Sequence, residues 1–437
     1  MILTERESKE VGERILALSS SDEVRVNLYG GRSGNTRFAL NSITTSGEED
    51  TLSVQVTSYF GSRHATSSGT EIDDESLKRI VESAETAARF SPEDPEYVPE
   101  LGPQDYLDID TFFATTARAT PRLRIRGAES AIEPSLRENL ESAGFFEHGY
   151  AFSAVMNNRG LFAYARTTNA SFSVTVRTPD GTGSGWASDG SRNVRKVDYR
   201  DTSRRAIQKA AASRDPKTLE PGSYPVILEP QAVADFIRFA GFSMNARYAD
   251  EGRSFFSKPG GGNKIGEKVA GENITLMSDP THPELLGRPF WSDGLPARKH
   301  VWIENGILKQ LFYDRYWARE KGKEPTGFPS NMALKGEDGT LEDLIRDTDR
   351  AVLVTRFWYI RFVDPQTILL TGLTRDGTFW VENGEIQYAI KNFRFNESPV
   401  AMLNHVTGMT RPERAGGMLV PAIRASQFTF SSLSEAV

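Results

Sequence analysis

Five histidines and no cysteine are the raw material for any metal or nucleophilic site in this 437-residue chain. His64, His148, His282, His300 and His405 stand far apart. No His-Glu-x-x-His pair sets two imidazoles on one helical face, the spacing at which a helix presents two ligands to zinc. Without cysteine, thiolate catalysis, iron–sulfur ligation and disulfide pairing are excluded. His148 and His300 fall in alternating, strand-like runs and read as structural imidazoles. Serine chemistry has one superficial candidate, Gly181-Thr-Gly-Ser184-Gly185, whose serine is out of place for a nucleophile elbow and precedes no helix. Gly260-Gly261-Gly262-Asn263-Lys264 lacks the Gly-Lys-Ser/Thr ending of a phosphate loop. Both read as glycine loops.

Charge narrows the partners. The 52 Lys and Arg against 59 Asp and Glu give a net charge of −7, in the opposite sense to a basic nucleic-acid footprint. The densest basic stretch, Arg192 to Arg205, is broken by Asp198 and Asp201 and reads as solvated surface. Charged residues between Glu5 and Arg14 leave no apolar signal segment there, and no apolar run approaches a membrane span. The expectation is a cytoplasmic chain with no nucleic acid or membrane as partner.

The elements that would position any site follow from periodicity. Thr4 and Glu7 predict a capping box before a first helix, and Val24, Val26, Leu28 then Leu52, Val54, Val56 alternate as half-buried strands. Asp73 or Asp74 opens a second helix through Ala88. Four prolines among acidic residues make 91–110 an extended connector. Helical spacing over Ile132 to Ala143 predicts a third helix, followed by a hairpin or meander over Tyr150 to Val176. Gly181, Gly183, Gly185 and Gly190 are expected in a loop, and Thr202 to Ser213 in a helix. Beyond the turn at Glu220-Pro221-Gly222 the pattern is a strand over Tyr224 to Glu229, a helix over Gln231 to Tyr248, a glycine-rich loop over Lys258 to Gly266, and then mostly strands. Asn305-Gly306 and Asn383-Gly384 predict type I′ hairpins. The fold class is α+β: an N-terminal α/β domain over 1–220, carrying the connector, and a mostly antiparallel β domain over 221–437.

Asp293-Gly294-Leu-Pro296-Ala-Arg298, Trp302-Ile-Glu304-Asn305-Gly306-Ile-Leu308 and Tyr313-Asp-Arg-Tyr-Trp-Ala318-Arg319 stand in series. They join Arg37-Phe38-Ala39, Leu341-Glu-Asp-Leu344-Ile345 and Trp380-Val-Glu382-Asn383-Gly384-Glu385-Ile386. In this order and spacing the chain resembles the TldD/PmbA family, and within it the PmbA or TldE branch, over nearly its whole length. The resemblance implies a dimer around an internal cavity that handles unfolded or modified peptides. In the TldD branch a His-Glu-x-x-x-His helix and a later cysteine hold zinc.

Here the corresponding helix follows Tyr224-Pro-Val-Ile-Leu-Glu229 and places Arg238, Phe239 and Ser243 where His, Glu and His would stand. Arginine keeps its proton, phenylalanine has no donor atom and a lone serine is a poor zinc ligand. No catalytic, cofactor-binding or metal-binding residue is therefore assigned to this chain, and zinc would belong to a TldD-like partner. The expected role is a non-catalytic subunit of a TldD/TldE-type metalloprotease. The alternative is a stand-alone homodimer that binds peptides or small molecules, or an enzyme with a metal-independent site. Its pocket would draw on Phe357, Trp358, Tyr359, Phe362, Phe379 and Trp380, residue types that in strands more often fill a core.

Overall fold

The computed structural model describes residues 2–434. Helix α1 (Glu5–Leu18) starts at the capping box: the Thr4 hydroxyl accepts from the Glu7 amide while the Glu7 carboxylate accepts from the Thr4 amide. Next come β1 (Glu23–Ala39), β2 (Ser42–Phe60), β3 (Arg63–Gly69) and α2 (Asp74–Phe90), which Asp73 caps. Past the irregular connector lie α3 (Ala114–Ala117), α4 (Pro121–Arg137), β4 (Glu141–Asn157), β5 (Phe162–Arg177), β6 (Ser184–Ser191) and α5 (Tyr199–Ala212). The strands form one antiparallel sheet in the order β3-β2-β1-β4-β5-β6.

A period of two sorts that sheet into unlike faces. Val26, Leu28, Val54, Val56 and Phe152 pack with Val11 and Ile15 of α1 and Leu77 and Val81 of α2. Phe146, Phe172, Val174 and Val176 pack with Ala128 and Ala131 of α4 and Ala206 and Ile207 of α5. The alternate positions, including Gly31, Ser53, Gly149, Ala151, Ser153 and Thr167, are small or polar and turn away from the helices.

The rest of the chain runs through β7 (Gly222–Leu228), α6 (Pro230–Ser243), α7 (Ala246–Asp250), β8 (Leu276–Ser278), β9 (His300–Glu304) and β10 (Ile307–Leu308). It continues with α8 (Arg315–Lys321), β11 (Met332–Leu334), α9 (Leu341–Arg346), β12 (Arg350–Asp364), β13 (Leu369–Glu382) and β14 (Glu385–Ala389). It closes with β15 (Phe393–Glu397), α10 (Pro399–Asn404), β16 (Val406–Met409), β17 (Glu413–Ala415), β18 (Met418–Val420) and β19 (Ile423–Leu433). One sheet is ordered β10-β9-β8-β11-β18-β17. The other is ordered β12-β7-β19-β15-β13-β14, with β16 on β19. Among the pairings of the strands named above only β7–β12 and β11–β18 are parallel, so the fold is α+β.

Both Asn-Gly turns form, with φ of 50° and 79° at Asn305 and Gly306 and of 53° and 80° at Asn383 and Gly384. Three expectations fail at their edges. The predicted helix over 132–143 is cut short: α4 ends at Arg137, Asn139 takes a φ of 52°, and Glu141 begins β4, because pairing with β5 outweighs the local spacing. Gly185 and Gly190 lie in β6, not a loop. A Cβ on Gly185 would sit 2.2 Å from the Ala206 carbonyl oxygen, so glycine is what lets α5 close on this strand. The helix over 231–248 is two helices, since Asn245 accepts from the Tyr248 amide and starts α7 anew.

The aromatic group of the second half divides. Phe357 and Phe379 are buried, and Phe357 packs on Phe236, Phe395 and Phe428. Trp358, Tyr359 and Phe362 are exposed on β12, whose pairing with β13 is interrupted by register shifts. No helix of the described residues is long and apolar enough to cross a membrane.

Candidate functional site

The small-residue face of the N-terminal sheet is roofed by a segment from the second half of the chain. Asp293-Gly294 makes the tip of this segment. The Gly294 amide donates to the Trp291 carbonyl, the Trp291 amide to the Leu295 carbonyl, and Gly294 has a φ of 84°, the geometry of a three-residue hairpin loop. The tip is pinned by Asn27 Nδ2 donating to the Ser292 carbonyl at 2.6 Å and by the Tyr106 hydroxyl donating to the Gly294 carbonyl at 2.9 Å. Phe290 seals one end against Val155, Leu161 and Ala163.

Between roof and sheet lies a cavity of about 630 Å³, within the range of ligand pockets. Gly31 and Gly149 are required in its floor: a Cβ on Gly31 would lie 2.6 Å from the Tyr150 carbonyl oxygen, and one on Gly149 2.7 Å from that of Arg32. Ser53, Ser153, Thr167 and Asn169 add hydroxyl and amide groups, Arg192 and Arg288 supply cations, and Glu147 supplies a carboxylate that accepts from Ser171 at 3.0 Å.

Two further cavities, of about 320 and about 380 Å³, extend the cleft between the halves. The first shares Asn169 and Arg192 with the large cavity, and the two share Asp189, Glu284 and Arg414 with each other. Glu413 and Arg192 apart, the charges along this extension are paired. Arg414 meets Glu284 at 2.7 Å and Asp189 at 3.2 Å, Lys196 meets Glu284 at 2.8 Å, and Lys209 meets Glu229 at 2.5 Å. The halves are latched again where Ser184 donates to buried Asp376 at 2.5 Å.

Arg192 differs from the other arginines of the cleft. Its partners are neutral: Nη1 donates to Thr167 Oγ1 at 2.6 Å and Nε to the Leu286 carbonyl at 3.3 Å. Burial and the neighbouring Arg288 push its guanidinium down from the usual range, though it stays protonated. The basic stretch expected to be solvated is thus surface only in part, because its first residue enters the cavity wall.

Helix α6 carries the three positions where the family resemblance places metal ligands. Arg238 Nη2 donates to the Gly416 carbonyl at 2.7 Å, Phe239 packs edge-on against Phe242 and Phe362, and Ser243 Oγ donates back to the Phe239 carbonyl at 2.9 Å. A zinc ion does not fit this donor set. One turn earlier Asp235 accepts from Gln231 and from the Phe357 amide, and burial pushes its carboxyl up to about 6.

The histidines stay apart. His148 accepts from Arg124 at 2.7 Å, His300 meets Gln310 at 3.1 Å and tilts against Trp302, and His282 accepts from the Glu284 amide. No three His, Asp or Glu side chains converge on a metal-sized gap among the described residues. Sequence reading missed the Arg192 and Arg288 pair, and no local signal could have found it, since the two join only when the roof folds over the sheet.

Residues 118–214 match the central domain, and residues 221–432 the C-terminal domain, of the PmbA/TldA metallopeptidases. The metalloprotease PmbA of Escherichia coli O157:H7 is 25% identical over 403 residues, spanning 86% of this chain and 84% of that protein. A metalloprotease PmbA homolog of Haemophilus influenzae is 23% identical over 392 residues, 85% and 83% of the two chains. In fold, the chain resembles the crystal structure of TldE from Thermococcus kodakarensis with a TM-score of 0.86, at 22% identity, covering 98% of this chain and all of that one.

Proposed function

The chain belongs to the PmbA/TldD metallopeptidase family, and from that premise we propose that it is a TldE-like, non-catalytic subunit that holds an unfolded or modified peptide for a zinc-bearing TldD-like partner in the cytoplasm. The observation that carries this reading is the commitment of Arg238, Phe239 and Ser243. One arginine is bonded to a loop carbonyl, one ring packs among aromatics, and one hydroxyl is turned back on its own helix. None of the three can exchange those bonds for a metal ion and act as ligand or base.

The cleft supplies the holding role. A backbone stretched along the floor meets Ser53, Ser153, Thr167 and Asn169, hydroxyl and amide groups that can bond peptide N–H and C=O with little regard to side chain. The glycines leave room for the peptide to approach.

Two measurements test the assignment. The purified chain alone is expected to contain no stoichiometric zinc by elemental analysis and to leave unfolded peptides intact. Stoichiometric zinc together with chelator-sensitive cleavage would overturn the reading. Affinity purification of the tagged chain from its native host is expected to retain a second chain bearing His-Glu-x-x-x-His. Recovery of only copies of itself would favour a self-assembled binding protein.

A further inference from the structure

We propose that the corner of the large cavity formed by Arg192 and Arg288 binds a carboxylate of the held peptide; this rests on the peptide-holding reading above. Every other cation named along the cleft has a carboxylate partner, including Arg414, Lys196 and Lys209. These two have none. Arg288 makes neither hydrogen bond nor ion pair among the described residues, and its guanidinium lies over the Trp291 ring at 5.1 Å, a contact that orients the cation without neutralising it.

Arg192 is fixed by Thr167 and Leu286, and of its five N–H groups the two on Nη2 have no acceptor among the described residues. Arg192 is half-buried and held by neutral groups, and the exposed Arg288 beside it adds a like charge that repels it. A bound anion offsets that repulsion while accepting the spare donors. Of the other ionised residues lining the cavity, Arg32 is paired with Glu48, and Glu147 bonds to Ser171, four strand residues from Thr167, or roughly 13 Å at the rise of an extended strand. It cannot neutralise the pair by contact. Planar guanidinium forks match a carboxylate better than a lone ammonium would, which favours the end or an acidic side chain of a peptide.

The test titrates the full-length chain, at low salt, with three fluorescently labelled peptides of one neutral sequence: a free C-terminal acid, its amide, and an amide with one internal Glu. The acid is expected to bind roughly tenfold more tightly than the neutral amide, the size of effect a charge-assisted contact to a half-buried Arg192 and an exposed Arg288 gives. Arg288→Gln should bring the acid to the amide's affinity and leave the amide unchanged. Because Arg288 holds no bond in the fold, loss of folding does not confound that variant. Arg192→Gln should act in the same direction. If the Glu-bearing amide matches the acid, the carboxylate site stands and takes a side chain as well as a C-terminus; if only the Glu-bearing amide gains affinity, its source is a side chain. Equal binding of all three peptides overturns the carboxylate site and leaves the peptide-holding reading intact. No binding of any of them overturns both.

Discussion

The N-terminal sheet holds an arginine against each of its faces, and the two are kept differently. On the helix face Arg124 of α4 is fully buried, donating Nη1 to His148 Nε2 at 2.7 Å and Nε to Thr36 Oγ1 at 3.3 Å, with Nη2 3.6 Å from Glu48. The strand opposite gives way to it: a Cβ on Gly34 would lie 2.3 Å from Nη1. On the cavity face Arg192 is half-buried, bonds neutral groups only, and sits beside a second unpaired arginine. Burying a charge is tolerable only when its donors are met. The first arginine therefore belongs to the fold, and the second has donors left for something that is not part of the chain.

The comparison can be broken at its strongest point. Arg124→Leu is expected to lower stability by about 3 to 5 kcal/mol, as removal of one partner from a buried polar cluster does, read as a shift in the denaturant midpoint. A cost below about 1 kcal/mol would mean that Arg124 is no more structural than a surface charge.

His148 provides the pH test of the same cluster. Burial first, and Arg124 second, push the imidazole down to about 4 from its ordinary 6.5. The folded state therefore disfavours the protonated ring. Below pH 6.5 the unfolded chain takes up a proton that the folded chain refuses until about pH 4. This group's contribution is thus complete above pH 6.5, falls as pH drops through that window, and levels off below it. The expected loss is about 3 kcal/mol across the window, from roughly 1.4 kcal/mol per unit of pKa. Unfolding curves measured from pH 7 to pH 4 on wild type and His148→Gln should differ in slope, and identical slopes would remove His148 from the cluster.

Steric fit separates the faces as well. Gly185→Ala, on the side closed by α5, is expected to cost about 1 to 3 kcal/mol through overpacking, whereas Ser53→Ala on the cavity face should stay within about 0.5 kcal/mol. Thermal melts of the two variants check the contrast. The smallest effect belongs to Arg288→Gln, whose stability should match wild type within about 0.5 kcal/mol. A larger loss would show that Arg288 serves the fold after all and would weaken its assignment to a ligand.

What could be read along the chain was local. Thr4 with Glu7, Asp73, and the two Asn-Gly pairs act within four residues, so their caps and turns are visible in the sequence and present in the structure. Alternation in Val24 to Leu28 and in Leu52 to Val56 likewise marked strands, because a half-buried sheet writes its own period. The errors fell where a distant partner decides. Glu141 to Ala143 carries helical spacing yet pairs with β5, and Gly185 looks like a loop until α5 is laid across it. Trp358 and Phe357 are neighbours in one strand, but only the packing of Phe236, Phe395 and Phe428 tells which ring is core.

By itself the sequence determined that this chain has no cysteine to offer and that the helix after Glu229 carries Arg238, Phe239 and Ser243, whereas it took the structure to show that the histidines do not converge among the described residues. A missing side chain is a property of composition and needs no fold to be known. What the chain offers in exchange was decided by tertiary structure alone. Arg192 and the Leu286 carbonyl it grips are 94 positions apart. Only the docking of the Asp293-Gly294 hairpin on the sheet encloses the cavity and leaves two guanidiniums facing it without a carboxylate. Charge compensation depends on distance in space, and distance in space is what the linear chain does not carry.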